Sequence, residues 1–304
     1  MEREDNRLVK CATVSLIGRP SVGKSTLVNT ICEMKVSITA STPQTTRNAI
    51  RGIYTDQRGQ LIFTDTPGFH LGGREINRRM QEITVSSLDD SDAVLYLVDA
   101  KRQAGDEEDA ITEILSRVRV PVVAVINKAD ILTEDEVKAA EAYVSSKLPK
   151  AVLLKASGLK DEGVDEILIA LFSFAPYGQL LYPEDSYTDQ NLEFRISEII
   201  REKTISSLTD ELPHVIYVEV ADIEYSEAAS EVWIRAFIVT ERDGQKGIIV
   251  GKGGENIKRI RKESFKEIKR IFPGSRLNLD LRVKAQNKWR NNQATLDRLF
   301  RQNR

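Results

Sequence analysis

The run Gly18-Arg19-Pro20-Ser21-Val22-Gly23-Lys24-Ser25 fits the pattern GxxxxGK[ST], between an apolar strand-like run and a helix-like one. Glycines there let backbone N–H groups turn inward around phosphates, and the helix N-terminus adds its positive end. Gly18, Ser21, Val22 and Gly23, with Ser25 and Thr26 at the helix start, are therefore expected to surround a nucleotide's phosphates. Lys24 supplies an ammonium for the β- and γ-phosphates, and the Ser25 hydroxyl a ligand for Mg²⁺. Asp65-Thr66-Pro67-Gly68 follows a short strand: the Asp65 carboxylate can hold the same metal, and the Gly68 N–H can report a γ-phosphate. Between the two, the polar stretch Thr39 to Arg47 can order around that phosphate, with Thr46 favoured over Thr45 as a further Mg²⁺ ligand.

Asn127-Lys128-Ala129-Asp130 specifies the base. The Asp130 carboxylate can accept hydrogen bonds from guanine N1–H and the exocyclic amino group; an adenine would leave it unpaired. Lys128 is expected to lay its stem over the base and Asn127 to brace the loops. In Lys155-Ala156-Ser157 the Ala156 N–H is expected to meet guanine O6.

The chemistry these groups permit is hydrolysis of GTP to GDP, with Lys24, Thr46, Asp65 and Gly68 nearest the reacting phosphate. Phe69, directly after Gly68, can neither polarise nor align a water, so intrinsic turnover is expected to be well below about one per second. His70 reads as an exposed loop histidine rather than a base, and Arg47 as structural or solvated rather than an internal arginine finger.

A second constellation lies near the other end. Gly251-Lys252-Gly253-Gly254 is a GxxG loop between two helix-like runs, of the kind that brings backbone N–H groups and a cation to a single-stranded RNA backbone. In the helix that follows, Ile257, Ile260, Ser264, Ile268 and Ile271 make a buried stripe, and Lys258 and Arg259 stand nearest the loop as phosphate contacts. Trp289 is open between stacking on RNA and covering the base of its domain.

These groups need scaffolds. Up to about Ala175 the chain alternates apolar strand-like runs with helix-like ones, which predicts a mostly parallel six-stranded sheet covered by helices. The breaker-rich stretch 176–190 reads as a linker, and 191–304 has an α+β rhythm. A length of 304 residues accommodates two domains. From Lys246 to Arg304 there are 17 Lys and Arg against 5 Asp and Glu, although the whole chain carries −2, so the basic end is expected to meet a polyanion. No apolar run is long enough to span a membrane, and the charged start Met1 to Asp5 is unlike a secretion signal. Cys11 and Cys32 form no metal or redox motif, and His70 and His214 suggest no zinc site.

With these elements in order, the chain resembles the translation-factor-related GTPases and, more closely, the Era family. The matching pieces are GRPSVGKSTLVN, QTTR, DTPGFH and NKAD, then IIREKT, ELPH, GKGGENIKRI and VKAQNKWRNN. The resemblance implies a P-loop GTPase domain over 1–175 and a type II KH domain over 191–304. It further implies GTP/GDP and Mg²⁺ as ligands, and binding to the 3′ end of small-subunit rRNA during ribosome assembly. The location it implies is the cytoplasm, with some association with the inner membrane surface. Single-stranded rRNA and the small subunit are the expected partners of a monomer, with no DNA. Two departures stand out. Ser21 occupies a position where the family carries Asn, which in related GTPases helps hold K⁺, so K⁺ stimulation is doubtful; Lys155-Ala156 stands where Ser-Ala is usual. The competing readings are a nucleotide-dependent binding module that rarely turns over and a membrane-linked cell-cycle signalling GTPase.

Overall fold

The computed structural model describes residues 8–40, 45–72, 75–208, 212–226 and 230–301. They form two units, Met1–Thr39 with Thr46–Asp189, and Ala40–Thr45 with Gln190–Arg304. Ser41 to Gln44 of the threonine-rich stretch lie outside the described residues.

In the first unit the elements run β1 (Val9–Ile17), α1 (Lys24–Ile31), β2 (Ile50–Asp56), β3 (Gly59–Asp65), α2 (Glu75–Asp89), β4 (Ala93–Val98), α3 (Asp106–Arg117), β5 (Val122–Ile126), α4 (Glu134–Lys147), β6 (Val152–Lys155), α5 (Val164–Phe174) and β7 (Tyr177–Gly178). The sheet order is β2-β3-β1-β4-β5-β6. Along this six-strand order the pairings are parallel except for the β2–β3 hairpin. All six residues of β4 are buried, as a strand covered on both faces requires. The hairpin depends on Gly59 (φ 144°), where a Cβ would sit 1.8 Å from the Lys10 carbonyl oxygen. Helix α4 starts at a capping box, the Thr133 N–H donating to Glu136 Oε2 at 2.7 Å and the Glu136 N–H to Thr133 Oγ1 at 3.3 Å.

The sheet has one strand more than the alternation predicts, since β7 pairs antiparallel with the start of β1. The stretch expected to be a linker is bound to this unit. Buried Gln60 donates to the Tyr182 carbonyl and accepts from the Leu181 and Tyr182 N–H groups, all at 3.0 Å. Further on, the Ile53 N–H donates to the Tyr187 carbonyl at 3.0 Å, and the Thr188 hydroxyl to the Arg51 carbonyl at 2.8 Å. Edge strand β2 would otherwise present unpaired backbone groups, and this strap covers them.

The second unit contains α6 (Leu192–Ile205), β8 (Ile216–Ser226), β9 (Glu231–Thr240), α7 (Asp243–Val250), α8 (Glu255–Ile268), β10 (Arg276–Ala285) and α9 (Gln293–Arg301). Its sheet order is β10-β9-β8, with β8 antiparallel and β10 parallel to β9. Strand β9 alternates cleanly: Val232, Ile234, Ala236 and Ile238 are buried, while Trp233 and Arg235 face solvent. The buried set packs with Ile196, Ile200, Ile260 and Ile268 of α6 and α8. Within this unit Arg201 pairs with Glu198 at 2.6 Å and donates to the Thr45 carbonyl at 2.5 Å.

Candidate functional site

The phosphate loop, the Asp65 segment, the base-reading segment and the loop after β6 all leave the sheet at carboxyl ends of strands, where open α/β sheets bind ligands. Gly23 caps α1 at φ 103°, and a Cβ there would lie 2.4 Å from Asn127 Nδ2. At Gly18 a Cβ would lie 2.5 Å from the Leu97 carbonyl oxygen. Both glycines are therefore fixed by close approach as well as by the turn. Ser21 takes a left-handed conformation, φ 64°, without being glycine. Val22 is buried, and Thr26 is half-buried on the first turn of α1.

Lys24 is buried, its Nζ donating to the carbonyls of Gly18 at 3.0 Å and Arg19 at 3.3 Å. Burial pushes the ammonium down to about 8, against the opposing pull of Asp65 and Glu108. Next to it Ser25 Oγ donates to Asp65 Oδ2 at 2.7 Å and meets Thr46 Oγ1 at 2.9 Å. Thr46, Ser25 and Asp65 thus come together, whereas the carbonyl of Thr45 is taken by Arg201. Asp65 is fully buried; burial pushes its carboxyl up, and Lys24 and the neighbouring hydroxyls pull less strongly the other way. Its Oδ1 has no hydrogen-bond partner. A buried carboxylate with an unused oxygen, flanked by two hydroxyl oxygens, fits a hard divalent cation such as Mg²⁺.

Gly68 is pressed against the phosphate loop, a Cβ there lying 2.7 Å from Pro20 Cα. The Phe69 N–H donates to the Gly18 carbonyl at 3.0 Å while its ring is buried with Ile17, Leu88 and Tyr96. The ring cannot approach a water at the phosphate.

At the base-reading end Asn127 Nδ2 donates to the Val22 carbonyl at 2.8 Å, which ties this segment to the phosphate loop. Lys128 is left-handed (φ 62°), and its Nζ donates to the Ser21 carbonyl at 2.7 Å, which stretches its stem across the gap between the loops. Asp130 is exposed at the end of that segment. The expectation for Ala156 needs correction. Its N–H donates to the Ile126 carbonyl at 3.0 Å, because the β5–β6 ladder continues one residue past Lys155. The donor expected for guanine O6 is consumed by the sheet. Ser157 and Gly158 form the loop instead: Gly158 N–H donates to Asn127 Oδ1 at 3.1 Å and its carbonyl accepts from Thr30 Oγ1 at 2.6 Å. A Cβ at Gly158 would lie 3.0 Å from Leu27 Cα, so this loop sits directly on α1.

In the second unit Gly251, Gly253 and Gly254 have φ of 73°, 61° and 79°, values that L side chains rarely adopt. Asn256 stitches the loop to α7, donating from Nδ2 to the Ile249 carbonyl at 3.1 Å. Lys252, Lys258 and Arg259 are exposed, and Arg259 donates to Asn256 Oδ1 at 2.9 Å. Farther along, Arg261 donates to the Leu279 carbonyl at 2.7 Å, and Lys269 to the Ser275 carbonyl. Trp289 is buried, with Nε1 donating to the Val215 carbonyl at 3.0 Å and its ring edge-on to Tyr217 at 4.9 Å. It closes the domain's base and offers no face to RNA.

Comparison with known proteins agrees with both halves. Residues 13–128 match the family described as 50S ribosome-binding GTPase, and residues 211–290 match the KH domain family. GTPase Era from Treponema denticola is 45% identical over 279 residues, covering 91% of this chain and 95% of the relative. GTPase Era from Borrelia duttonii is 42% identical over 292 residues, covering 96% and 100%. Among solved structures, an Aquifex aeolicus Era variant bound to GDP and aluminium fluoride superposes with a TM-score of 0.91 at 32% identity, covering 97% of this chain and 99% of that one. Era in complex with MgGDPNP and nucleotides 1506–1542 of 16S ribosomal RNA gives the same score, identity and coverage.

Proposed function

Because the chain belongs to the Era GTPase family, we propose that it couples GTP hydrolysis to binding of the 3′ end region of 16S rRNA in assembly of the small ribosomal subunit. The observation that carries this is the match over 97% of the chain to an Era structure holding MgGDPNP and that RNA segment together. The chain's own residues support it at both ends. Ser25, Thr46 and Asp65 would hold Mg²⁺, which when bound neutralises charge on the phosphates. Lys24 adds a second cation beside them, and Asn127, Lys128 and Asp130 select guanine. Gly251 to Gly254 with Lys258 and Arg259 offer backbone and charge to a single strand of RNA.

Hydrolysis is read as slow, because Phe69 supplies nothing to the attacking water. Ser21 has no side-chain amide to hold K⁺, so exchanging NaCl for KCl should leave the rate unchanged. Among the described residues no helix is long and apolar enough to cross a membrane. The cytoplasm is where this RNA partner is met. Any peripheral contact with anionic lipid would use the same basic face of α8, so vesicles should compete with RNA. Crosslinking the full chain to cellular RNA and mapping the sites tests the proposal. Crosslinks concentrated at the 3′ end of 16S rRNA are expected, and a distribution without preference for that region would defeat it.

A further inference from the structure

Helix α3 opens on four carboxylates, Asp106, Glu107, Glu108 and Asp109, an ordinary complement to a helix dipole. Glu107 does more than that. Its Oε2 accepts from Arg19 Nε at 3.1 Å, and its Oε1 pairs with His70 Nδ1. Arg19 is the second residue of the phosphate loop, and His70 the second residue after Gly68. Glu108 holds Arg19 from another side, at 3.4 Å from Nη1, and itself accepts from the Tyr96 hydroxyl. Burial pushes the Glu107 carboxyl up, but the bonds from His70 and Arg19 outweigh it and leave the group below its ordinary value.

We propose that the Arg19–Glu107–His70 bridge fixes the Gly68 amide relative to the phosphate loop, making Glu107 and His70 positioning residues for GTP hydrolysis. The segment is anchored in the backbone by the Phe69 N–H on Gly18, and the Gln81 side chain donates to the His70 carbonyl. The Thr84 hydroxyl of α2 also donates to the Pro67 carbonyl, at 3.2 Å. The His70 ring adds a polar tie from the segment to α3. Since Phe69 offers no group to a water, alignment falls to the backbone at Gly68, and the bridge holds that backbone. His70 acts through Nδ1 on Glu107, not as a base.

The proposal rests on the GTPase reading of this site, and its test separates the two. Single-turnover hydrolysis and GTP calorimetry on the full chain compare His70→Ala, His70→Asn, His70→Gln, Glu107→Gln and the His70→Ala/Glu107→Gln double variant. His70→Ala, at a side chain 41% exposed, leaves the core untouched. Both it and Glu107→Gln should slow hydrolysis about tenfold with the GTP Kd within about twofold, and the double variant should be no slower than the singles. His70→Asn, whose amide nitrogen lies near the Nδ1 position, should recover most of the rate, while His70→Gln, reaching toward Nε2, should not. Unchanged rates in both single variants, a double variant slower by about a hundredfold, or a better rescue by Gln than by Asn would overturn the proposal. Loss of GTP binding by the unaltered chain would instead defeat the nucleotide-site reading.

Discussion

The phosphate loop and the GKGG loop are both built on left-handed glycines, Gly23 in one and Gly251, Gly253 and Gly254 in the other. They treat charge in opposite ways. The first buries an ammonium and a carboxylate, Lys24 and Asp65, and leaves one carboxylate oxygen without a partner. The second keeps Lys252, Lys258 and Arg259 in water. Buried charge is costly until its counter-charge arrives, so such a site answers to one ligand and fails as a unit. Charge in water attracts any phosphate backbone, in increments that add and that salt removes.

The largest test of this contrast is Lys24→Ala. It strips the cation from a buried carboxylate and from the phosphates together, so single-turnover hydrolysis should fall by about a hundred- to a thousandfold. RNA affinity without nucleotide should stay within about twofold in a filter-binding assay. Asp130→Asn comes next. The altered side chain would present an amide where the carboxylate is proposed to accept two hydrogen bonds from guanine, so GTP affinity should drop on the order of a hundredfold and preference should move toward xanthosine nucleotides. Competition between GTP and XTP for the same protein reads this directly; undiminished GTP preference would remove Asp130 from base recognition.

The parts of the cradle that lie within a few residues of one another are legible in sequence, because GxxxxGK[ST], DTPG and NKAD place their groups through local turns at strand ends. Contacts decided by register are not. Ala156 follows β6 closely enough to look like a loop donor, yet the ladder with β5 extends far enough to take its N–H. Glu107 stands in an acidic run that explains itself as a helix start, and its partners Arg19 and His70 are 88 and 37 residues away. The strap from Pro176 to Asp189 has breakers and no periodicity because, past the two-residue strand β7, it pairs through buried Gln60 and isolated backbone bonds. In the second unit the alternation of β9 and the stripe of α8 are plain, whereas the place of Trp289 follows only from packing on Tyr217.

A smaller effect probes the solvated half. Lys258→Ala with Arg259→Ala should weaken binding of a single-stranded 16S 3′ fragment by about tenfold at low salt, each change contributing separately. The slope of log K against log salt should become shallower by about 1.4, as expected for two lost contacts to a single strand. GTP affinity should not change. A loss far exceeding the two single variants combined would mean that this loop too works as a unit, and the contrast with the cradle would fail.

The smallest effect lies in the cradle and is a matter of protons. Lys24 titrates at about 8 because burial penalises its charged form. An unfolded lysine titrates near 10.5, so at pH 9 the free site has largely lost a proton that ordinary lysines retain. Phosphate oxygens placed beside Nζ favour the charged form and draw the proton back. GTP binding at pH 9 should therefore take up a sizeable fraction of one proton, and binding at pH 7, where Lys24 is already charged, should take up almost none from this group. Calorimetry at pH 9 in two buffers of different ionisation enthalpy measures the uptake from the difference between the observed heats. Identical heats in the two buffers would mean that the ammonium is charged before the nucleotide arrives, and that Lys24 is better solvated than its burial implies.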